Sequence, residues 1–171
     1  ILLTPLEADL SGAPDLFPCL AALAAFAKGT SRFYGAPHLR LKESDRIRGL
    51  ARLLQTVGIT CRELSDGLEV DGISESDEAR YEELRRQGLA FEFDPESDHR
   101  LAFAAAVLAA GGVPIEVTRR GVVSKSLPLF WAMIEGDAPR IALIGHRGSG
   151  KTEAGLRWSR ELGPRAMFID L

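Results

Sequence analysis

Lys42, Glu43, Asp45, Arg46 and Arg48 place five ionisable groups within seven consecutive residues. Ile47, Leu50, Ala51, Leu54 and Val57 follow at steps of three and four, the buried stripe of a helix, so the charged run is expected in that helix's opening turns. Four residues apart, Lys42 and Arg46 then share a face, with Glu43 turned about 100° from Lys42. Cations at a helix start oppose the macrodipole, at a cost of about 0.3–1 kcal/mol each when exposed, so the pattern calls for an anion nearby.

The same placement recurs. Asp98-His99-Arg100 opens an apolar helix, Leu101 to Ala110, ended by Gly111-Gly112, with Ser97 or Asp98 as its cap. Val122 to Pro128 is expected to start a third helix, with Lys125 in its first turn. Three helix starts that each carry a cation suggest backbone N–H groups and side-chain charges converging on a shared anion. Further on, an apolar strand, Arg140 to Ile144, runs into Gly145-His146-Arg147-Gly148-Ser149-Gly150-Lys151-Thr152. This is the G-x-x-x-x-G-K-T pattern of a P-loop in its strand-to-helix setting. The amides around Gly145, Gly148, Ser149 and Gly150 would cradle phosphates, Lys151 would reach the β- and γ-oxygens, and Thr152 would bind Mg²⁺.

The elements that must position these groups follow from the rest of the chain. Its 171 residues, 46% hydrophobic and 26% charged, can bury a core of ordinary globular size. A net charge of −3 argues against a dispersed nucleic-acid surface. Cys19 and Cys61 form no C-x-x-C pair and read as reduced thiols, and no signal or transit peptide is visible, so the expected location is cytoplasmic. The longest apolar stretch, Leu101 to Ala110, is about half of the roughly 20 residues that span a bilayer. The chain starts at Ile1 and stops at Leu171 in a strand-like run, which suggests a piece of a longer polypeptide.

In order, a loop from Asp9 to Asp15 leads, with Asp15 as expected N-cap, into a buried helix from Leu16 to Lys28 closed by Gly29. Thr30 to Tyr34 reads as a strand. Thr60 to Leu64 and Leu68 to Val70 flank Asp66-Gly67 as a hairpin, and residues 73–88 read as an exposed, charged helix.

Lys42-Glu43-Ser44-Asp45-Arg46, Asp66-Gly67-Leu68, Asp98-His99-Arg100 and Ser124-Lys125-Ser126, in that order, resemble the C-terminal part of 5-enolpyruvylshikimate-3-phosphate (EPSP) synthases. Asp9 to Asp15 and Ala27-Lys28-Gly29-Thr30 match the upstream segment of that family, and the resemblance covers residues 1–135. The resemblance implies transfer of the enolpyruvyl group of phosphoenolpyruvate to the 5-hydroxyl of shikimate 3-phosphate, with no cofactor. It makes Asp9 and Glu43 the acid and base, puts Lys42 on the hydroxylated substrate with Asp9 and His38, and gives phosphoenolpyruvate to Arg46, Arg100 and Lys125 with His99 beside them. His38 stands where the family carries Asn, and Leu127-Pro128-Leu129-Phe130 where it carries F-P-D followed by an aromatic residue. The chemistry is consistent: alcohol addition to an enol ether needs one group to take the hydroxyl proton and another to protonate the methylene carbon. Two arginines and a lysine suit the carboxylate and phosphate of phosphoenolpyruvate.

The stretch from residue 140 resembles the start of shikimate kinases, in the order found in arom polypeptides, which implies ATP and Mg there. The expected fold is α/β. Residues 1–136 would form part of the enolpyruvyl transferase fold of repeated β-α-β-α-β-β units with buried parallel helices, residues 137–139 a linker, and residues 140–171 the first β-α-β of a P-loop kinase. Its partners would be the two small substrates and the rest of the same polypeptide, with neither nucleic acid nor membrane. Competing readings are enolpyruvyl transfer to a nucleotide sugar, a phosphotransferase working through the P-loop, and an anion-binding remnant without catalysis.

Overall fold

Alternation along Thr30–Tyr34 turns Ser31 and Phe33 inward and makes this the strand about which the main sheet is built. The computed structural model describes residues 3–136; the linker, the P-loop and the rest of residues 137–171 lie outside the described residues. The chain divides into two compact units, Ile1–Val122 and Val123–Leu171.

In the first unit, β1 (Glu7–Asp9) runs parallel to β2 (Thr30–Tyr34), with Glu7 opposite Arg32 and Asp9 opposite Tyr34. A parallel pair needs a crossover, and α1 (Phe17–Ala24) supplies it. A second crossover, α2 (Arg46–Thr56), leads to the antiparallel pair β3 (Cys61–Glu63) and β4 (Leu68–Asp71). Since β4 also pairs antiparallel with β2, the sheet order is β1-β2-β4-β3. This stretch therefore contains one β-α-β-α-β-β unit. After α3 (Glu75–Arg86), β5 (Phe91–Phe93) and β6 (Ile115–Val117) pair in parallel across α4 (His99–Ala110).

The three crossover helices α1, α2 and α4 pack on one another, burying Phe17, Ala21 and Ala22, then Leu50, Leu53 and Leu54, then Leu101, Ala105 and Leu108. Where α2 meets α4, a Cβ on Gly49 would sit 2.5 Å from Leu101 Cδ1. Gly49→Val is therefore expected to destabilise the protein by about 1–3 kcal/mol. A helix-propensity gain of about 0.4 kcal/mol offsets only a fraction of that. Urea unfolding at 25 °C checks this, and unchanged stability would mean that the helices can part there without cost.

The exposed helix α3 keeps its place through a Ser74–Asp77 capping box and one buried side chain, Tyr81, whose hydroxyl donates to the Val57 carbonyl at 2.9 Å. Burial pushes the Tyr81 phenol up to about 12.

Several boundaries differ from the sequence expectation. α1 ends at Ala24, not Lys28, because Ala25, Phe26 and Ala27 bond three residues back and Ala27 then bridges Leu3. Asp15 does not cap it; the residue lies in a 3-10 turn, Pro14–Leu16, and its carboxylate is used elsewhere. α2 begins at Arg46, so Lys42 and Arg46 do not share a helical face. The three-residue strand β5 was too short to show as a periodicity.

The second unit begins at Val123, within a 3-10 turn, Arg120–Lys125, that stands where the third helix was expected. Lys125 thus ends a turn instead of opening a helix. Pro128 has no N–H with which to continue one, and α5 (Phe130–Glu135) starts only after it, closing at Gly136 with φ 87°.

Candidate active site

The start of α2 is set by Arg40. Its Nη1 donates to Asp45 at 2.9 Å and Glu63 at 2.8 Å, and its Nε donates to the Ser65 carbonyl at 3.0 Å. Held in this way, Asp45 uses its other oxygen to accept the Arg48 amide at 3.0 Å and becomes the N-cap. Lys42, Glu43 and Ser44 consequently fall in the loop before the helix, and Arg46 is its first residue.

The Arg46 side chain is 3% exposed and donates in three directions. Its Nε bonds Asp98 Oδ2 at 2.8 Å, its Nη2 bonds Glu43 Oε2 at 2.5 Å, and its Nη1 reaches Asp15 Oδ1 at 3.4 Å. Arg100, in the first turn of α4, grips Asp15 from the other side: Nη2 meets the carboxylate at 2.9 Å and Nη1 the main-chain carbonyl at 3.2 Å. Asp98 is wholly buried. Burial alone would raise its carboxyl pKa, but the Arg46 guanidinium, the Arg100 amide and the Ser44 hydroxyl hold it below the ordinary carboxylate value.

Two guanidinium groups, Arg46 and Arg100, thus face three carboxylates, Asp15, Glu43 and Asp98. The carboxylates differ in freedom: the side chains of Glu43 and Asp15 are 41% and 58% exposed, whereas that of Asp98 is 0% exposed. Glu43 and Asp15 border solvent and have room to move into it. Asp98 has no such freedom.

Of the residues expected at a site, the structure brings together Glu43, Arg46 and Arg100. His99 lies buried next to Arg100, its ring edge-on to Phe103 at 5.6 Å. Lys42 and His38 are exposed, and among the described residues their side chains make no hydrogen bond or ion pair. Lys125 belongs to the second unit. Asp9 is the clear departure, since it shares no hydrogen bond or ion pair with Glu43, Arg46 or Arg100 among the described residues. The physical reason is local: at the end of β1 its Oδ1 folds onto the Ser11 amide at 2.8 Å, an Asx turn that holds the carboxyl below its usual range. The next acid, Asp15, is carried to the arginines by the 3-10 turn. Sequence reasoning missed Asp15 because a cap and a site acid look alike beside a helix start. Among the described residues no group of three or more His, Cys, Asp or Glu could hold a metal ion.

The family profile described as EPSP synthase (3-phosphoshikimate 1-carboxyvinyltransferase) matches residues 2–134. The chain belongs to the EPSP synthase family. Among its relatives, a 3-phosphoshikimate 1-carboxyvinyltransferase of Syntrophobacter fumaroxidans is 44% identical over 78% of this chain and 29% of the relative. A pentafunctional AROM polypeptide of Yarrowia lipolytica is 31% identical over 99% of this chain and 12% of its own length. The solved EPSP synthase of Acinetobacter baumannii superposes with a TM-score of 0.60 at 26% identity, over 80% of this chain and 30% of that one. The chain therefore spans about three tenths of the synthases it matches. Within this EPSP synthase family member the mixed α/β architecture is that of the solved synthase. No helix among the described residues is long and apolar enough to cross a membrane.

Proposed function

We propose that this chain supplies one wall of a cytoplasmic enzyme site, completed by further parts of a longer polypeptide, that transfers the enolpyruvyl group of phosphoenolpyruvate to the 5-hydroxyl of shikimate 3-phosphate. The observation that carries this reading is the convergence of Arg46 and Arg100 on two half-exposed carboxylates, Glu43 and Asp15. When the anionic substrate arrives, the arginines exchange those carboxylates for its carboxylate and phosphate oxygens. Glu43 and Asp15 are then released at the reacting carbons, one staying a carboxylate that can accept the hydroxyl proton and the other taking up a proton from solvent as its arginine leaves, which it can then donate. The substrate hydroxyl oxygen bonds the phosphate-bearing carbon while its proton passes to one carboxylate and the methylene carbon takes a proton from the other. Reversal of the methyl proton transfer then expels phosphate. In this account the partner of Glu43 is Asp15 and not Asp9, while Lys42 and His38 serve the hydroxylated substrate from the exposed loop and His99 backs Arg100. No cofactor is required.

A second activity is supported for residues 140–171 by the AROM relative, whose similarity runs through 99% of this chain. Gly145, Gly148, Ser149 and Gly150 would hold the phosphates of ATP, Lys151 the terminal oxygens and Thr152 the Mg²⁺ ion, as the opening of a shikimate kinase.

Phosphate release from phosphoenolpyruvate and shikimate 3-phosphate by the complete polypeptide tests the main reading. Turnover is expected with shikimate 3-phosphate, and its absence there, or turnover with a nucleotide sugar instead, would overturn it. The 171-residue chain by itself is expected to be inactive and to bind phosphoenolpyruvate or ATP only weakly, since its cations are then solvated and screened. Micromolar binding of either ligand in calorimetry would show that each site is already complete.

A further inference from the structure

We propose that Asp98 is a positioning residue for the anionic substrate, acting through Arg46; the inference rests on the enolpyruvyl-transfer reading above. As the cap of α4 it needs only one acceptor oxygen, and Oδ1 fills that need by taking the Arg100 amide at 2.9 Å. A serine or threonine would cap as well without bringing a charge into the interior. The second oxygen explains the acid: Oδ2 accepts both the Arg46 Nε, at 2.8 Å, and the Ser44 hydroxyl, at 2.9 Å.

A guanidinium is planar and presents its donors as forks. With Nε fixed by a buried carboxylate, the remaining edge, Nη1 and Nη2, can only face the half-exposed Asp15 and Glu43. That edge is the one that grips a carboxylate or phosphate in two parallel bonds. Asp98 therefore selects which side of Arg46 meets the ligand and joins its orientation to that of Arg100, whose amide it also holds.

The segment before Asp98 is built to deliver it. Glu96 has a left-handed backbone, φ 56°, unusual for a residue with a side chain. The conformation is held from several sides: Asp94 accepts the Glu96 amide at 2.7 Å, Arg119 grips Asp94 at 2.8 Å, and Arg52 takes the Asp94 carbonyl at 2.9 Å and the Glu96 carboxylate at 3.0 Å. Strain held in this way two residues before a buried acid fits a segment whose task is placement.

The test is steady-state kinetics of Asp98→Asn in the complete polypeptide, with thermal unfolding in parallel. Asparagine keeps the cap and the volume but not the charge. The Michaelis constant for phosphoenolpyruvate is expected to rise about 10–100-fold through misorientation, with turnover changed less than about fivefold. Ser44→Ala, which leaves every charge in place, should raise the same constant about 3–10-fold by loosening Asp98. It decides the matter if the Asp98 variant does not fold. A folded Asp98→Asn enzyme with a Michaelis constant within twofold of the parent would overturn the proposal, as would an unchanged Ser44→Ala enzyme when the asparagine variant fails to fold. A parent without transferase activity would overturn both this inference and the reading beneath it, whereas an active parent with indifferent variants would overturn this inference alone.

Discussion

Replacing Glu43 by glutamine in the complete polypeptide is expected to lower turnover by about 10²–10⁴-fold while the Michaelis constant for phosphoenolpyruvate stays within a few-fold. Glutamine matches glutamate in size and still accepts a hydrogen bond from Arg46, so the loop geometry should persist. The lost ion pair joins the buried Arg46 guanidinium to a carboxylate whose side chain is 41% exposed, and Arg46 keeps its buried partner Asp98. The proton-carrying capacity is lost outright. Arg100→Ala should behave in the opposite sense, raising the Michaelis constant with a smaller change in turnover, because a charge-assisted contact serves ground and transition states together. Kinetics of both variants under identical conditions separates the roles. If Glu43→Gln raised the Michaelis constant and spared turnover, Glu43 would be a binding residue.

The fold was legible wherever burial imposed a period. Ile47, Leu50, Ala51 and Leu54 do face the core, the Asp66-Gly67 hairpin joins β3 to β4, and Thr30–Tyr34 is a strand over the range expected. Boundaries were less legible, because tertiary bonds decide them. Arg40 delays α2 until Arg46 by holding Asp45 while its guanidinium is anchored to Glu63 and the Ser65 carbonyl of the β3–β4 hairpin, and no helix propensity shows that anchorage. Pro128 did carry the signal that splits the segment after Val122 into a turn and α5, and the Lys125 expectation overlooked it.

At the site, the two arginines and Glu43 could be read because their charge is conspicuous at helix starts. Asp15 and Asp98 could not be ranked, since an acid before a helix has an adequate explanation as a cap. Only geometry separates the cases: Asp15 caps nothing and bridges Arg46 to Arg100, and Asp98 caps α4 while it also anchors Arg46.

Asp98→Ala is expected to cost about 3–5 kcal/mol of folding stability at pH 7 in the full chain, because it leaves Arg46 a buried cation without its one buried partner. Arg46→Ala should cost a similar amount for the mirror reason, leaving a carboxylate with no exposed surface and no counter-charge. The double substitution should cost less than the two added together, by at least about 1 kcal/mol, since each single change also carries the penalty of the abandoned charge. The pH dependence distinguishes the pair from simple packing. The folded protein holds the Asp98 carboxyl below its ordinary value, so the stability it contributes is full above the unfolded carboxylate pKa, about 3.9, and drains away as pH falls through the lower folded value. Asp98→Ala should therefore lack that part of the parent's acid sensitivity below about pH 4. Arg46→Ala should be relatively better off in acid, because the orphaned carboxyl can then take up a proton and become neutral. Urea unfolding of the parent, both single variants and the double variant between pH 3 and 7 measures all of this. Additive losses with parallel pH curves would mean that Arg46 and Asp98 lie side by side without depending on each other.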